Sequence, residues 1–320
     1  MRVRPSIVAV PDRWTVSPVA FRRIAAVAVV SLVLVVVTGA AVRLTGSGLG
    51  CTTWPKCDAN SVVAPMRYHA WVEFGNRLIN AVVTVASIGA FVAALRRRPR
   101  RRDLSRLSFG LVVGLIAEVV LGAIVVYTKL NPVLVSIHFL LGLAFLAVAV
   151  ILYERARLAD GPAEVRNLVG PLQIGLARLC LLALTVVAAL GTIVTSTGPH
   201  GGAPDAPRYH LSLHAVAQIH GTSVEIFLAI TLVMMWSLVR SGAPAAVLHR
   251  AELMLVALVA QAAVGYAQYF DGDPVGIVAV HVAGASLLVI ATLHYYFGLR
   301  ERALLPSAPT EAAPAAALVP

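Results

Sequence analysis

The chain is short of charge. Asp, Glu, Lys and Arg make up 13% of its 320 residues, against about 25% in soluble proteins, which excludes an ordinary soluble domain. Hydrophobic residues reach 59% and mean hydropathy is +0.84, the balance of an integral membrane protein. Segments of about ten alternating apolar and polar residues are also missing, so a porin-like barrel is excluded. The apolar runs instead reach the ~18–20 residues that carry a helix across the hydrocarbon. The first run, from Ile24, lacks a small-residue cleavage site. It reads as a retained transmembrane helix, with the chain starting in the cytoplasm.

Acidic residues are scarcer still, 15 against 26 basic, for a net charge of +11. The positions of the basic residues argue for topology and against nucleic acid as a partner. Hydropathy gives eight spans, at 24–44, 71–95, 107–127, 133–153, 172–195, 211–239, 253–270 and 275–299. Chain ends and even-numbered links then share one side. That side holds 20 basic residues, including Arg22, Arg23 and the block Arg96 to Arg106, while Arg43, Lys56, Arg67, Arg77, Lys129 and Arg208 lie on the other. The positive-inside rule therefore puts both termini in the cytoplasm of a plasma-membrane protein. The arginine block reads as an anchor beside anionic lipid.

The two halves repeat. Glu118 precedes His138 by 20 residues, as Gln261 precedes His281, and Leu121-Gly122 matches Val264-Gly265 at the same offset of 143. The first and fifth spans pair Gly39 with Gly191, and the second and sixth set Asn76 opposite His220. Four spans per half make the repeats parallel. The expected fold is all-α, eight transmembrane helices forming two pseudo-symmetric four-helix bundles. Residues 24–153 would form the first bundle and 172–299 the second. A cytoplasmic segment, 1–23, would precede them, a linker, 154–171, would join them, and a disordered tail, 300–320, would follow.

Depth sorts the nine histidines. His138, His220 and His281 each lie six to nine residues inside the outer end of an even-numbered span, about 9–14 Å down. One intramembrane histidine is commonly a packing or proton-relay residue. Three in one layer, two of them repeat-equivalent and the third opposite Asn76, point to metal ligation. Without a cysteine or carboxylate cluster at that depth a closed zinc site does not fit, whereas two imidazoles on facing helices suit a b-type heme. His220 and His281 are expected to clamp it.

Arg43 and Arg77 are placed either to reach outward-directed heme propionates or to snorkel to the interface. Glu73, four residues before Arg77, fits an i,i+4 ion pair or an acid/base beside a reacting group. Glu118 and Glu225 are intramembrane acids whose roles the sequence leaves open. Cys51 and Cys57 share an outer loop facing an oxidising compartment, where a disulfide is expected, two free thiols being the alternative. Cys180 reads as a packing residue.

In order along the chain, TGAAVRLTGSGLGCTTWPKC, EFGNR, LGA..V....NP....H and the late pair His220 and His281 resemble the signatures of the heme A synthases. The resemblance implies oxidation of the C8 ring methyl of heme O to the formyl group of heme A, for cytochrome c oxidase. It implies heme O as substrate in the amino-terminal half and a heme b in the other, passing electrons to an acceptor not named by the sequence. By the same resemblance Glu73 is the catalytic carboxylate, His138 the substrate-side ligand, His220 and His281 the heme b ligands, and Cys51/Cys57 the outer cysteine pair. Partners implied are a heme O synthase and the oxidase assembly machinery; a homo-oligomer stays open. One position departs: many members carry Glu-x-x-His in the second span, where this chain has Glu73-Phe-Gly-Asn76. Asn is a poor heme ligand, so the substrate iron is expected to be held by His138 alone or with a weak ligand or water. A two-heme electron conduit and a proton-coupled transporter are the alternative functions.

Overall fold

A computed structural model describes residues 14–59, 61–161 and 163–305. Arg2, Arg4, Arg13 and the tail beyond residue 305 lie outside the described residues. Eight long helices run in chain order: α1 (Pro18–Leu44), α2 (Tyr68–Arg96), α3 (Arg102–Tyr127), α4 (Pro132–Ala156), α5 (Pro171–Thr197), α6 (Leu213–Arg240), α7 (Ala245–Phe270) and α8 (Val275–Phe297). All eight are long and apolar enough to cross a membrane. At 1.5 Å per residue they measure about 35–44 Å, longer than the ~30 Å hydrocarbon layer. Each end therefore extends toward headgroup depth.

Local chemistry sets the helix starts. Ser17, Asn131 and Ser212 cap α1, α4 and α6 by accepting backbone N–H groups of Ala20, Val133 and Ala215. Pro18, Pro132 and Pro171 open their helices at a position whose N–H is not needed. Two hairpins are tight: residues 128–131 join α3 to α4, with Lys129 and Leu130 at positive φ, and 271–274 join α7 to α8, with Gly272 and Asp273 at positive φ.

Helices α1 to α4 close a ring in which neighbours pack side by side, leaving α2 and α4 diagonal. Helices α5 to α8 repeat the arrangement, with α6 and α8 diagonal. The bundles meet where α8 packs on α1 and α4, and α4 on α5. Small buried residues, among them Ala25, Ala28, Ala90, Ala93 and Ala149, bring the helices close. Val27, Val30, Leu34, Val85 and Ile116 stay exposed on the outside, as a lipid-facing surface requires.

Three expectations need correction. The segment after α8 is not a disordered tail from residue 300: β2 (Arg300–Leu304) pairs antiparallel with β1 (Ala163–Asn167). The stretch 154–171 is accordingly no plain linker, because it holds the end of α4 and all of β1. Arg302 fastens the sheet by donating to the carbonyls of Ala159 and Gly161. The arginine block also does more than face lipid. Arg97, 1% exposed, grips both carboxylate oxygens of Asp160 at 2.9 and 2.8 Å, a bidentate pair that pins the α2–α3 link to the chain leaving α4.

Candidate functional site

Four equivalent positions lie six to eight residues from the start of the even-numbered helices: Asn76 on α2, His138 on α4, His220 on α6 and His281 on α8. Three of them share a construction. Each ring rests on a glycine of the preceding helix, so that a methyl group added to Gly122 would lie 3.4 Å from His138 Cε1. At Gly191 it would lie 3.2 Å from His220 Cε1, and at Gly265 3.0 Å from His281 Cε1. The missing Cβ lets the Cε1 edge of each imidazole come close to the neighbouring helix backbone. Glycine seats were visible in the repeat alignment as matched glycines, but their purpose was not.

In the carboxy-terminal half, Nδ1 of both His220 and His281 is buried with no aligned hydrogen bond among the described residues, the His220 ring also facing the backbone carbonyl of Val187. With Nδ1 sealed within the bundle, Nε2 is the ring nitrogen left accessible to a ligand. Two such rings on diagonal helices, with no carboxylate bound to either, fit axial coordination of a heme b. Gln261 turns away, its amide donating to the His281 carbonyl at 2.8 Å.

The amino-terminal half differs at the matching place. Glu118 Oε2 lies 2.9 Å from His138 Nδ1, an ion-pair distance, although off the line of the N–H, so that Nδ1 counts as lacking an aligned hydrogen bond. A carboxylate this close to an imidazole orients the ring. At the fourth position Thr38 donates to Asn76 Oδ1 at 2.8 Å, and nothing lies within 4 Å of a methyl group placed on Gly39.

Above this layer sits the cysteine loop. Cys51 and Cys57 form a disulfide, with S–S 2.04 Å. Gly50 presses against the His69 carbonyl at the start of α2 so closely that no Cβ fits. That approach lets Cys51 N–H donate to Glu73 Oε2 at 2.8 Å. Arg77 holds the other oxygen, Oε1, at 2.6 Å and donates to the carbonyls of Thr53, Pro55 and Lys56. Glu73, 6% exposed, is therefore both ion-paired and roofed by the loop. His69, above it, meets Ser47 Oγ at 2.9 Å.

The two arginines are engaged otherwise than as free propionate partners. Arg77 clasps the loop. Arg43 reaches across to the other bundle, donating to the carbonyls of His200 and Thr195 at 2.6 and 2.7 Å. His200 continues the bridge to the Asp273 carbonyl, and His214 meets the Tyr269 hydroxyl. Glu225 receives the hydroxyl of Tyr266 at 2.7 Å on the outer face of α6 and α7. Cys180 is fully buried against Thr231 and Met234, the packing role expected of it.

The sequence profile of the cytochrome oxidase assembly protein family matches residues 22–293, from within α1 to within α8. The chain belongs to this family. Among its relatives, a heme A synthase of Geobacillus thermodenitrificans is 36% identical over 134 residues, 41% of each chain. One of Geobacillus kaustophilus is 33% identical over 138 residues, 42% of each. One of Lysinibacillus sphaericus is 30% identical over 141 residues, 42% of this chain and 46% of that one. These alignments span less than half the length of each relative.

Proposed function

We propose that the chain is a heme A synthase, an oxidoreductase that converts the C8 methyl of heme O to the formyl group of heme A for cytochrome c oxidase biogenesis. The observation that carries the reading is the layer of three glycine-seated imidazoles, two in one bundle and one in the other, within a chain of the oxidase assembly family. His220 and His281 would hold heme b, which supplies a path for the electrons that leave the substrate. His138, oriented by Glu118, would receive heme O in the amino-terminal bundle. The conversion would pass through the alcohol to the gem-diol, each stage taking one oxygen atom from a water molecule and releasing two protons and two electrons, the electrons going to an external acceptor, and the gem-diol would lose water to leave the aldehyde.

The chain's own groups position the substrate and handle its protons. Glu73 would take protons released at the methyl edge, exchanging its contact with Arg77 or Cys51 to do so. The cysteine loop above it would keep bulk water from that edge. The arginine-rich end would face the cytoplasm of a plasma-membrane protein, and the cysteine loop the outside. A heme O synthase and the oxidase assembly machinery are the partners this activity needs.

Purification from cells with and without a heme O synthase, followed by pyridine hemochrome spectra and chromatography of the extracted hemes, tests the reading. Heme A or its alcohol precursor is expected only when heme O is available, beside a constant heme b. Heme b alone in both preparations would replace the synthase with an electron conduit. In the same system Glu73→Gln is expected to keep heme bound while conversion stops, with the alcohol accumulating; full conversion would remove Glu73 from the chemistry.

A further inference from the structure

The fourth position of the layer has its glycine but no ring. Gly39 aligns with Gly191, yet the space beside it is open, where His220 fills the equivalent space at Gly191. Asn76 does not enter that space as a ligand would. Its Oδ1 is taken by the Thr38 hydroxyl at 2.8 Å. The same hydroxyl stands 3.3 Å from the Val35 carbonyl, and having one proton it gives it to the nearer oxygen. With Oδ1 engaged by Thr38, the unengaged end of the amide is Nδ2, whose N–H donors make no hydrogen bond to a described residue and are not sealed from solvent.

We propose that Asn76 is a hydrogen-bond donor to a small exogenous ligand on the open face of the substrate heme, and not a ligand of its iron. This rests on the reading that the amino-terminal bundle receives heme O. The ligand's class follows from the donor: it accepts a hydrogen bond and is a small heme ligand, as a diatomic gas or a hydroxide-like anion is. The two halves then differ in kind. The carboxy-terminal half offers two imidazoles on diagonal helices, whereas the amino-terminal half sets one imidazole, beside a carboxylate, opposite a donor. Thr38 is a positioning residue, acting through Asn76 by fixing which end of the amide faces the ligand.

The probes are carbon monoxide on the reduced protein and cyanide on the oxidised protein, both purified from cells making heme O. Carbon monoxide is expected to bind the substrate heme but not the heme of the other half. Asn76→Leu, which keeps the size and removes the donor, is expected to raise the C–O stretching frequency and weaken cyanide binding by about tenfold, the worth of one hydrogen bond to a charged ligand. Thr38→Val is expected to shift the same frequency without abolishing binding. Asn76→His should give a six-coordinate, low-spin substrate heme that no longer binds carbon monoxide. The unchanged spectrum of the heme between His220 and His281 reports that each variant is folded. An identical C–O frequency and cyanide affinity in Asn76→Leu overturns the donor role while the synthase reading stands. Cyanide binding that strengthens in Asn76→Leu overturns it too, because it means that the amide oxygen faces the ligand. Absence of any heme O or heme A from the wild-type preparation overturns both.

Discussion

At the scale of single residues, the absence of one atom type organises the layer. A histidine ring that approaches a helix by its Cε1 edge needs a residue without a side chain to come this close, and glycine is that residue. The three seats are graded: a methyl group would stand 3.0 Å from the ring at Gly265, 3.2 Å at Gly191 and 3.4 Å at Gly122, and would meet nothing at Gly39. Alanine is the better helix former by about 1 kcal/mol, so propensity alone would make all four substitutions stabilising. Packing predicts otherwise. Gly265→Ala is expected to lower heme content per chain and shift the Soret band of the heme in the second half, Gly191→Ala to do so more mildly, and Gly39→Ala to leave the melting temperature unchanged or raised. Full heme content in Gly265→Ala would show that the ring does not depend on its seat. Glycine matches at Gly39/Gly191 and Gly122/Gly265 stand out in the sequence because the repeat marks them. What they carry is invisible there, since a contact between ring and backbone leaves no trace in residue spacing.

At the scale of elements, the cysteine loop is held to α2 by more than its disulfide. Arg77 joins the buried Glu73 to three loop carbonyls, and Tyr127 at the end of α3 donates to the Trp54 carbonyl. Removing one partner of a buried ion pair leaves the other charge unsatisfied, at a cost of about 3–5 kcal/mol when burial is complete. Arg77 retains 17% side-chain exposure, so Arg77→Met is expected to cost about 2–3 kcal/mol, below the figure for complete burial. Lys56, inside the loop and exposed, gives a local readout. Trypsin should cut there faster in Arg77→Met than in the Cys51→Ser/Cys57→Ser variant, in which the arginine clasp survives. The reverse order would mean that the disulfide alone holds the loop. The i,i+4 pair was readable from sequence, because helical spacing dictates it. The loop carbonyls were not, because irregular backbone has no period.

At the scale of the whole molecule, hydropathy delivered the eight helices and the repeat delivered two bundles, since both are periodic consequences of crossing a membrane four times twice over. Their ends moved where polar residues extend a helix beyond the hydrocarbon: α7 begins at Ala245 and not at residue 253, taking in His249, Arg250 and Glu252. The β1–β2 pair was illegible because AEVRN and RERAL are only five residues each, RERAL has no apolar alternation, and the two lie more than 130 positions apart. How the bundles join was equally hidden, and it has a pattern of its own. The seam is polar at both ends and largely apolar between. At the cysteine-loop end Arg43 holds the carbonyls of Thr195 and His200, Gly48 N–H reaches the Gly202 carbonyl at 2.7 Å, and Ser136 meets Ser196. At the arginine-rich end Glu154 of α4 lies 2.8 Å from His294 of α8, with Arg157 at 3.4 Å. Apolar contacts such as those of Val289 and Leu293 with the first bundle fill the middle, and in lipid these give little orientational preference because the tails are as apolar as the side chains. Register between the halves must then come from the polar ends. Glu154→Ala leaves His294 unpartnered in a buried seam and is expected to cost about 1–3 kcal/mol, whereas Glu154→Gln keeps an acceptor for the ring and should cost less. Thermal unfolding in detergent, followed by the Soret band and by near-ultraviolet circular dichroism, measures both. Equal melting temperatures for the two variants and the wild-type chain would mean that the Glu154–His294 contact does not set how the halves meet.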